Sequence, residues 1–166
     1  ARAEPTALWL TLGPTHREGH ETDFYNLREL GWVPSVTDYL AAADIVIASA
    51  GDNTVHEVAR VGGRLIVMPE WRYFAEQTRK AEALVRLGVA VQVPVWPGDL
   101  QAWRDLLARA RALDGTALRG LYAPDAAARA AEWLEGLTDA LWDVAPSDAE
   151  LGPAFEPPVL QGVATA

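Results

Sequence analysis

Cysteine is absent from all 166 residues of the chain. Its absence excludes disulfide bonds, thiolate nucleophiles, iron–sulfur clusters and zinc sites built on cysteine, and it is typical of a cytoplasmic protein. Long apolar runs are absent too, since none approaches the ~20 residues of a bilayer span. The opening residues 1–13 hold one short apolar run without a cleavage site, so we do not expect a signal peptide.

Positive charge is scarce. The chain has 14 Lys and Arg against 23 Asp and Glu, a formal net charge of -9. Binding to nucleic acid requires a cationic surface that releases counterions from the phosphates, so we do not expect a nucleic-acid partner. The net negative charge repels phosphate, so a phosphate ligand would have to be held by favourable groups close to it.

Apolar residues make up 50% of the sequence and charged residues 22%, which is typical of one soluble globular core. Short runs rich in Val, Ile and Leu alternate with helical patterns. This alternation predicts an α/β fold, a doubly wound parallel sheet covered by helices on both faces. The five predicted strands are residues 7–12, 31–33, 44–49, 64–69 and 89–94.

The pattern stops near residue 144. We assign residues 1–143 to the α/β domain. Residues 144–166 hold four of the eleven prolines and no periodicity, so they are interpreted as an extended or disordered tail.

The segment "ASAGDNTVHEVARVGG" (48–63) follows a predicted buried strand and opens a helix. Ligands of open parallel sheets bind outside the carboxyl ends of the strands. Ser49 and Gly51 permit close approach of a ligand to the backbone, and the free N–H groups at the start of the helix attract anions. Residues 48–53, where the chain turns from strand to helix, are called the corner and are therefore a candidate anion site. Its rival interpretation is structural, because Thr54 and Glu57 have the spacing of a capping box, in which each side chain bonds the other's backbone N–H.

Histidine is scarce as well, with three residues. His16 and His20 lack the pattern of a zinc-protease motif, and we interpret them as part of a solvated loop. His56, in the first turn of the helix predicted after the corner, is a weak candidate for a catalytic base. No paired carboxylates or Ser-His-Asp spacing indicate a self-contained hydrolase. Aromatic residues in "PEWRYF" (69–74) are expected either to frame a pocket or an interface, or to cover the end of the sheet.

Residues 31–93 resemble the C-terminal, donor-binding domain of family 28 glycosyltransferases. The resemblance rests on the order and spacing of "AADIVIASAG", "TVHE", a strand ending in Pro69, "EQTRKAE" and "LGVAVQV". That family has the two-domain GT-B architecture, so the resemblance implies a Rossmann-like half. The domain's first strand and glycine-rich loop, together with the N-terminal acceptor domain, are expected to lie outside this chain.

The resemblance also assigns roles to residues of the corner. Val33 would contact the nucleobase through its backbone, and Glu57 would accept hydrogen bonds from the ribose hydroxyls. Thr54 would help to hold a phosphate. The wall of the diphosphate site would be formed by Ser49, Ala50 and Gly51.

The donor sugar would be contacted by Glu76 and Gln77. Asp52 departs from what a diphosphate site favours, because its carboxylate would stand beside the phosphates. The two roles of Glu57 would be reconciled if it capped Thr54 in the empty protein and swung to the ribose when ligand bound.

By the same resemblance, the full enzyme would transfer a sugar from a nucleotide diphosphate donor, expected to be a UDP-sugar, to an unidentified acceptor. No cofactor or metal is expected. The partner would be the N-terminal acceptor domain, in the same chain or a separate one, and any peripheral membrane association would come through that half. This chain alone is expected to bind donor without transferring it. The alternatives are a non-catalytic relic or partner subunit, and half of a nucleotide-sugar epimerase.

Overall fold

Strands and helices alternate along the chain in a computed structural model that describes residues 1–15, 19 and 23–142. The strands are β1 (Trp9–Thr11), β2 (Leu27–Glu29), β3 (Ile45–Ala48), β4 (Arg64–Val67) and β5 (Ala90–Gln92). The helices are α1 (Thr37–Ala42), α2 (Asp52–Val61), α3 (Glu76–Arg86), α4 (Leu100–Arg111) and α5 (Ala126–Trp142). Short 3-10 turns cover Tyr73–Ala75 and Ala117–Leu121.

All strand pairs are parallel, as predicted. β1 pairs with β2, and β3, β4 and β5 form a second sheet in that order. Successive side chains of β4 point to opposite faces: Leu65 packs with the buried side chains of α2 and α3, whereas Ile66 packs with Leu106 and Leu107 of α4. Helices therefore cover both faces of the central sheet. This explains why β4 reads as a continuous apolar run, and it confirms the doubly wound α/β prediction.

The predicted strand at residues 31–33 is wrong. The second strand is β2, whose Arg28 and Glu29 side chains are exposed. Backbone pairing with β1 continues only as far as Gly31, whose carbonyl accepts a 2.7 Å hydrogen bond from Gly13 N–H. Gly31 then takes a φ of 63°, which ends the extended backbone. The prediction relied on the apolar residues at 31–33. An edge strand of a two-stranded sheet can instead be mostly polar, as β2 is.

The residue types at two helix ends explain why the helices begin or end there. The Asp99 carboxylate accepts a 2.8 Å hydrogen bond from Ala102 N–H at the start of α4. Past the end of α3, Gly88 has a φ of 71°, a left-handed position that glycine adopts without strain.

Residues 1–123 form one compact unit, and the second begins at Pro124. The described part of the second unit contains α5, none of whose residues is buried. The proposed tail, 144–166, lies outside the described residues, and the domain boundary at 143 stays a prediction. Within the described ranges no helix has the length and hydropathy needed to cross a membrane. The exposed apolar side chains of α5 are Trp133, Leu134, Leu137, Leu141 and Trp142.

Candidate functional site

The register of the central sheet places two loops side by side at its carboxyl edge. Ala48, the last residue of β3, is paired with Val67, the last residue of β4. The pairing continues beyond the strands, because Met68 N–H donates a 2.9 Å hydrogen bond to the Ala48 carbonyl. The corner after β3 and the loop after β4 therefore start at adjacent points, which is where parallel sheets bind ligands.

Gly51 is the N-cap of α2, and it provides no side-chain cap. Its φ of -65° and ψ of 147° are ordinary extended backbone, so the glycine is not required by the turn itself. A β-carbon at this position would lie 3.6 Å from Ser49 Oγ and 3.8 Å from Gln77 Nε2. The two polar groups therefore face the same small space above Gly51, and only a residue without a side chain leaves that space open.

The capping-box interpretation of Thr54 and Glu57 is wrong. Helix α2 begins at Asp52, so Thr54 already lies inside the helix, and no side chain caps the helix start. Because there is no capping box, the expectation that Glu57 caps Thr54 in the empty protein is also wrong. The sequence misled us because glycine at the N-cap leaves no side-chain signal, and the Thr and Glu further on imitate one. Among the described residues, no side chain accepts from the first backbone N–H groups of α2.

Gln77 is one of the two buried polar residues of the described chain, with 4% of its surface exposed. Its Oε1 accepts a 2.9 Å hydrogen bond from the backbone N–H of Glu70. Its Nε2 lies toward Gly51 and donates to no other residue in the described part of the chain. The Nε2 donors are therefore free to bond a ligand at the corner. Gln77 thus lies beside the corner and is also hydrogen-bonded to the loop that follows β4.

Glu57 and His56 both lie on the exposed side of α2. The His56 ring packs against that of Tyr122, with centroids 5.0 Å apart and an angle of 57° between the planes. This ring contact gives His56 a packing role. Glu57 lies one residue further along the helix, with its carboxylate open to solvent and available to a ligand.

An ion pair at the corner was missed by the sequence analysis. Lys80 Nζ of α3 contacts the Asp52 carboxylate at the start of α2. The Lys80 side chain is 25% exposed and that of Asp52 is 83% exposed. Lys80 thus balances the negative charge of Asp52, which counted against an anion at the corner. Residues 28 positions apart carry no local signal that they meet.

The loop between β4 and α3 carries unusual backbone. Phe74 and Ala75 have φ values of 66° and 52°, a left-handed conformation that is costly for residues with a side chain. Trp71 and Tyr73 contact each other edge to face, with ring centroids 5.0 Å apart. Both are exposed, as is Phe74, at 92%. These aromatics therefore do not cover the end of the sheet.

The other predicted residues are spread around the same region. Ala50 is completely buried beneath the corner. Glu76 is exposed as the first residue of α3. Val33 is half-buried in the connection before α1, and α1 packs against α2. His16 and His20 lie outside the described residues. No group of His, Asp and Glu side chains suited to a metal ion occurs in the described part of the chain.

A cleft of about 320 Å³ lies away from the corner, and none of the predicted site residues lines it. Its walls come from the first three residues, from Trp9 and Phe24, and from the segment that leads into α4. Trp9 and Trp103 meet edge to face across this region, with ring centroids 6.2 Å apart.

A family model and a curated relative match this chain. The family model described as "Glycosyltransferase family 28 C-terminal domain" matches residues 3–95. Over 103 residues the chain is 37% identical to the UDP-N-acetylglucosamine--N-acetylmuramyl-(pentapeptide) pyrophosphoryl-undecaprenol N-acetylglucosamine transferase of Sorangium cellulosum (strain So ce56). That alignment covers 61% of this chain and 25% of the relative.

Solved structures share the fold. Acinetobacter baumannii MurG superimposes with a TM-score of 0.63 at 20% identity, over 82% of this chain and 46% of that one. The spinosyn rhamnosyltransferase SpnG complexed with thymidine diphosphate gives 0.57 at 23% identity, over 74% and 35%. The chain thus spans about a quarter of the curated relative and less than half of each of these solved relatives. From the family match over residues 3–95, the chain belongs to the glycosyltransferase family 28 C-terminal domain family.

Proposed function

We propose that this chain binds the nucleoside diphosphate part of a sugar-nucleotide donor, with the diphosphate at the N-terminus of α2. The observation that carries the proposal is the corner itself. An uncapped helix start, an open space above Gly51 and the unused donors of buried Gln77 converge at the carboxyl edge of the sheet.

The energetics favour an anion there. The helix terminus contributes about 0.3–2 kcal/mol toward a nearby negative charge. Each hydrogen bond from a backbone N–H to a charged oxygen adds about 1.5–3 kcal/mol. Several such bonds offset the unfavourable field of a chain whose net charge is -9.

The remaining roles follow the family resemblance. Ser49, Ala50 and Gly51 form the wall beside the diphosphate, and Thr54 contributes to phosphate binding. In a complete enzyme, the helix N-terminus would stabilise the diphosphate as it leaves the sugar.

The nucleoside and the sugar lie to either side of the diphosphate in this proposal. Glu57 accepts hydrogen bonds from the ribose hydroxyls, and the backbone of Val33 contacts the base. Glu76 and Gln77 face the donor sugar, with Gln77 donating through Nε2. UDP is the expected nucleotide, and the relative whose name specifies a UDP-sugar supports that choice. Thymidine diphosphate is the competing ligand, because a structural neighbour holds it.

Catalysis of sugar transfer would need the acceptor-binding half. We propose that this half lies in a longer chain or on a partner chain, and that the complete protein acts in the cytoplasm. The donor-binding role is the part that this chain can be tested for alone.

Isothermal titration calorimetry of the 166-residue chain with UDP, thymidine diphosphate and uridine tests the proposal. UDP should bind more tightly than uridine, because the diphosphate gains the helix N-terminus. A folded chain that binds neither diphosphate would overturn the proposal and favour the non-catalytic relic.

A further inference from the structure

Lys80 is the only lysine in the sequence, and it lies on α3 beside the start of α2. It follows Gln77 by three residues on α3, so the two side chains emerge one above the other on the same face of that helix. Next to it, Ala81 is completely buried, and the stem of Lys80 is itself three-quarters covered. Its ammonium group reaches across to the first residue of α2.

Asp52, which holds this ammonium group, binds it only weakly. The Asp52 side chain is 83% exposed, and surface ion pairs of this kind contribute little to stability. Asp52 also benefits from the positive end of α2 without Lys80, because carboxylates are stabilised in the first turn of a helix. Lys80 can therefore leave Asp52 at little cost.

A diphosphate bound at this corner would compete well for the ammonium group. The first-turn N–H groups that have no side-chain acceptor belong to the same turn as Asp52, and one turn of helix rises only about 5.4 Å. A diphosphate carries more charge than one carboxylate and offers several acceptor oxygens. Gln77, a buried residue whose Nε2 faces the same space, offers a ligand at the corner a further hydrogen-bond donor.

We propose that Lys80 is a phosphate-binding residue of this site: Asp52 holds its ammonium group beside the α2 N-terminus, and the diphosphate of the donor takes it over. This inference rests on the proposed function and deepens it, since it names the side-chain cation that offsets the phosphate charge. In the empty protein Asp52 occupies the ammonium group, and it competes with the diphosphate for that group when ligand binds. No covalent step is involved.

Titration calorimetry of Lys80→Met with UDP and uridine tests the assignment. The variant should bind UDP roughly tenfold to a hundredfold more weakly than the parent, as expected for the loss of one charged hydrogen bond, while uridine binding stays unchanged. Arg79→Met is the matched control, because it removes one positive charge from the neighbouring, exposed position of α3. It should change UDP affinity by less than about threefold, as expected for a solvent-screened charge.

Asp52→Asn separates a ligand role from a structural one. Because it removes a negative charge from the site and leaves Lys80 in place, UDP should bind as tightly as in the parent or more tightly. If Asp52→Asn weakens UDP binding as much as Lys80→Met does, the ion pair only holds α2 and α3 together and the inference is wrong.

A second measurement does not depend on how Lys80→Met folds. Acetylation of the parent with an amine-reactive reagent, read by mass spectrometry of the Lys80 peptide, reports the single lysine directly. UDP should slow this acetylation at least severalfold, and uridine should leave it unchanged. UDP binding without protection of Lys80 would overturn the inference and leave the proposed function standing, whereas a parent that does not bind UDP or thymidine diphosphate would overturn both.

Discussion

The side-chain oxygen Oε1 of Gln77 lies 2.9 Å from the backbone nitrogen of Glu70 and accepts its hydrogen bond. This single contact ties the start of α3 to the loop that follows β4. It also fixes the orientation of the amide, because the oxygen is engaged and the nitrogen is turned toward Gly51. One buried side chain thus links the stability of the loop to the chemistry of the corner.

Replacement of Gln77 by Leu should destabilise the fold by about 1–3 kcal/mol, because the Glu70 N–H loses the acceptor of a partly buried hydrogen bond. Urea unfolding followed by circular dichroism measures the free energy. Gln101→Leu is the control: Gln101 is exposed on α4, so its replacement should stay within about 0.5 kcal/mol. Equal effects of the two substitutions would show that the hydrogen bond between Gln77 and Glu70 contributes nothing to stability.

Replacement of Gly51 by Ala should leave the fold intact while weakening UDP binding at least about tenfold. The backbone of Gly51 suits any residue, and the added methyl group would meet only ordinary contacts at 3.6 and 3.8 Å. That methyl group would nevertheless occupy the space into which Ser49 and Gln77 face.

Thermal unfolding and titration calorimetry give the two readouts for Gly51→Ala. Gly98→Ala serves as the control, since Gly98 has no atom within 4 Å of such a methyl group and lies outside the corner. Undiminished UDP affinity in a folded Gly51→Ala protein would place the diphosphate elsewhere.

Replacement of Glu57 by Ala should weaken UDP binding roughly tenfold to a hundredfold, because one charged acceptor of the ribose hydroxyls is lost. The melting temperature should not fall, since Glu57 caps nothing and alanine is a strong helix former. Glu82→Ala, an exposed carboxylate on α3, is the control for charge and should bind UDP as the parent does. A lower melting temperature with unchanged affinity would assign Glu57 a structural role only.

The sequence predicts the central sheet well because β3, β4 and β5 are covered on both faces, and their apolar runs report that burial directly. Prediction failed where structure depends on pairing rather than burial, as in β2 with its exposed Arg28 and Glu29. It failed also at the start of α2, where Gly51 caps without a side chain.

Long-range contacts at the corner were beyond the reach of the sequence. Lys80 and Asp52 lie on different helices, and only the packing of α3 beside the corner brings them together. The left-handed backbone at Phe74 and Ala75 was equally unpredictable, because neither residue type favours it. The family resemblance supplied the residue roles, and the structure supplied the contacts by which they can be tested.

The location of the diphosphate is the central claim, and amide chemical-shift mapping of the ¹⁵N-labelled chain tests it most directly. Addition of UDP should shift the backbone N–H signals of residues 51–54 and the side-chain NH₂ signal of Gln77, and uridine should shift them far less. UDP-induced shifts confined to other parts of the chain, or no shifts at all, would contradict the account.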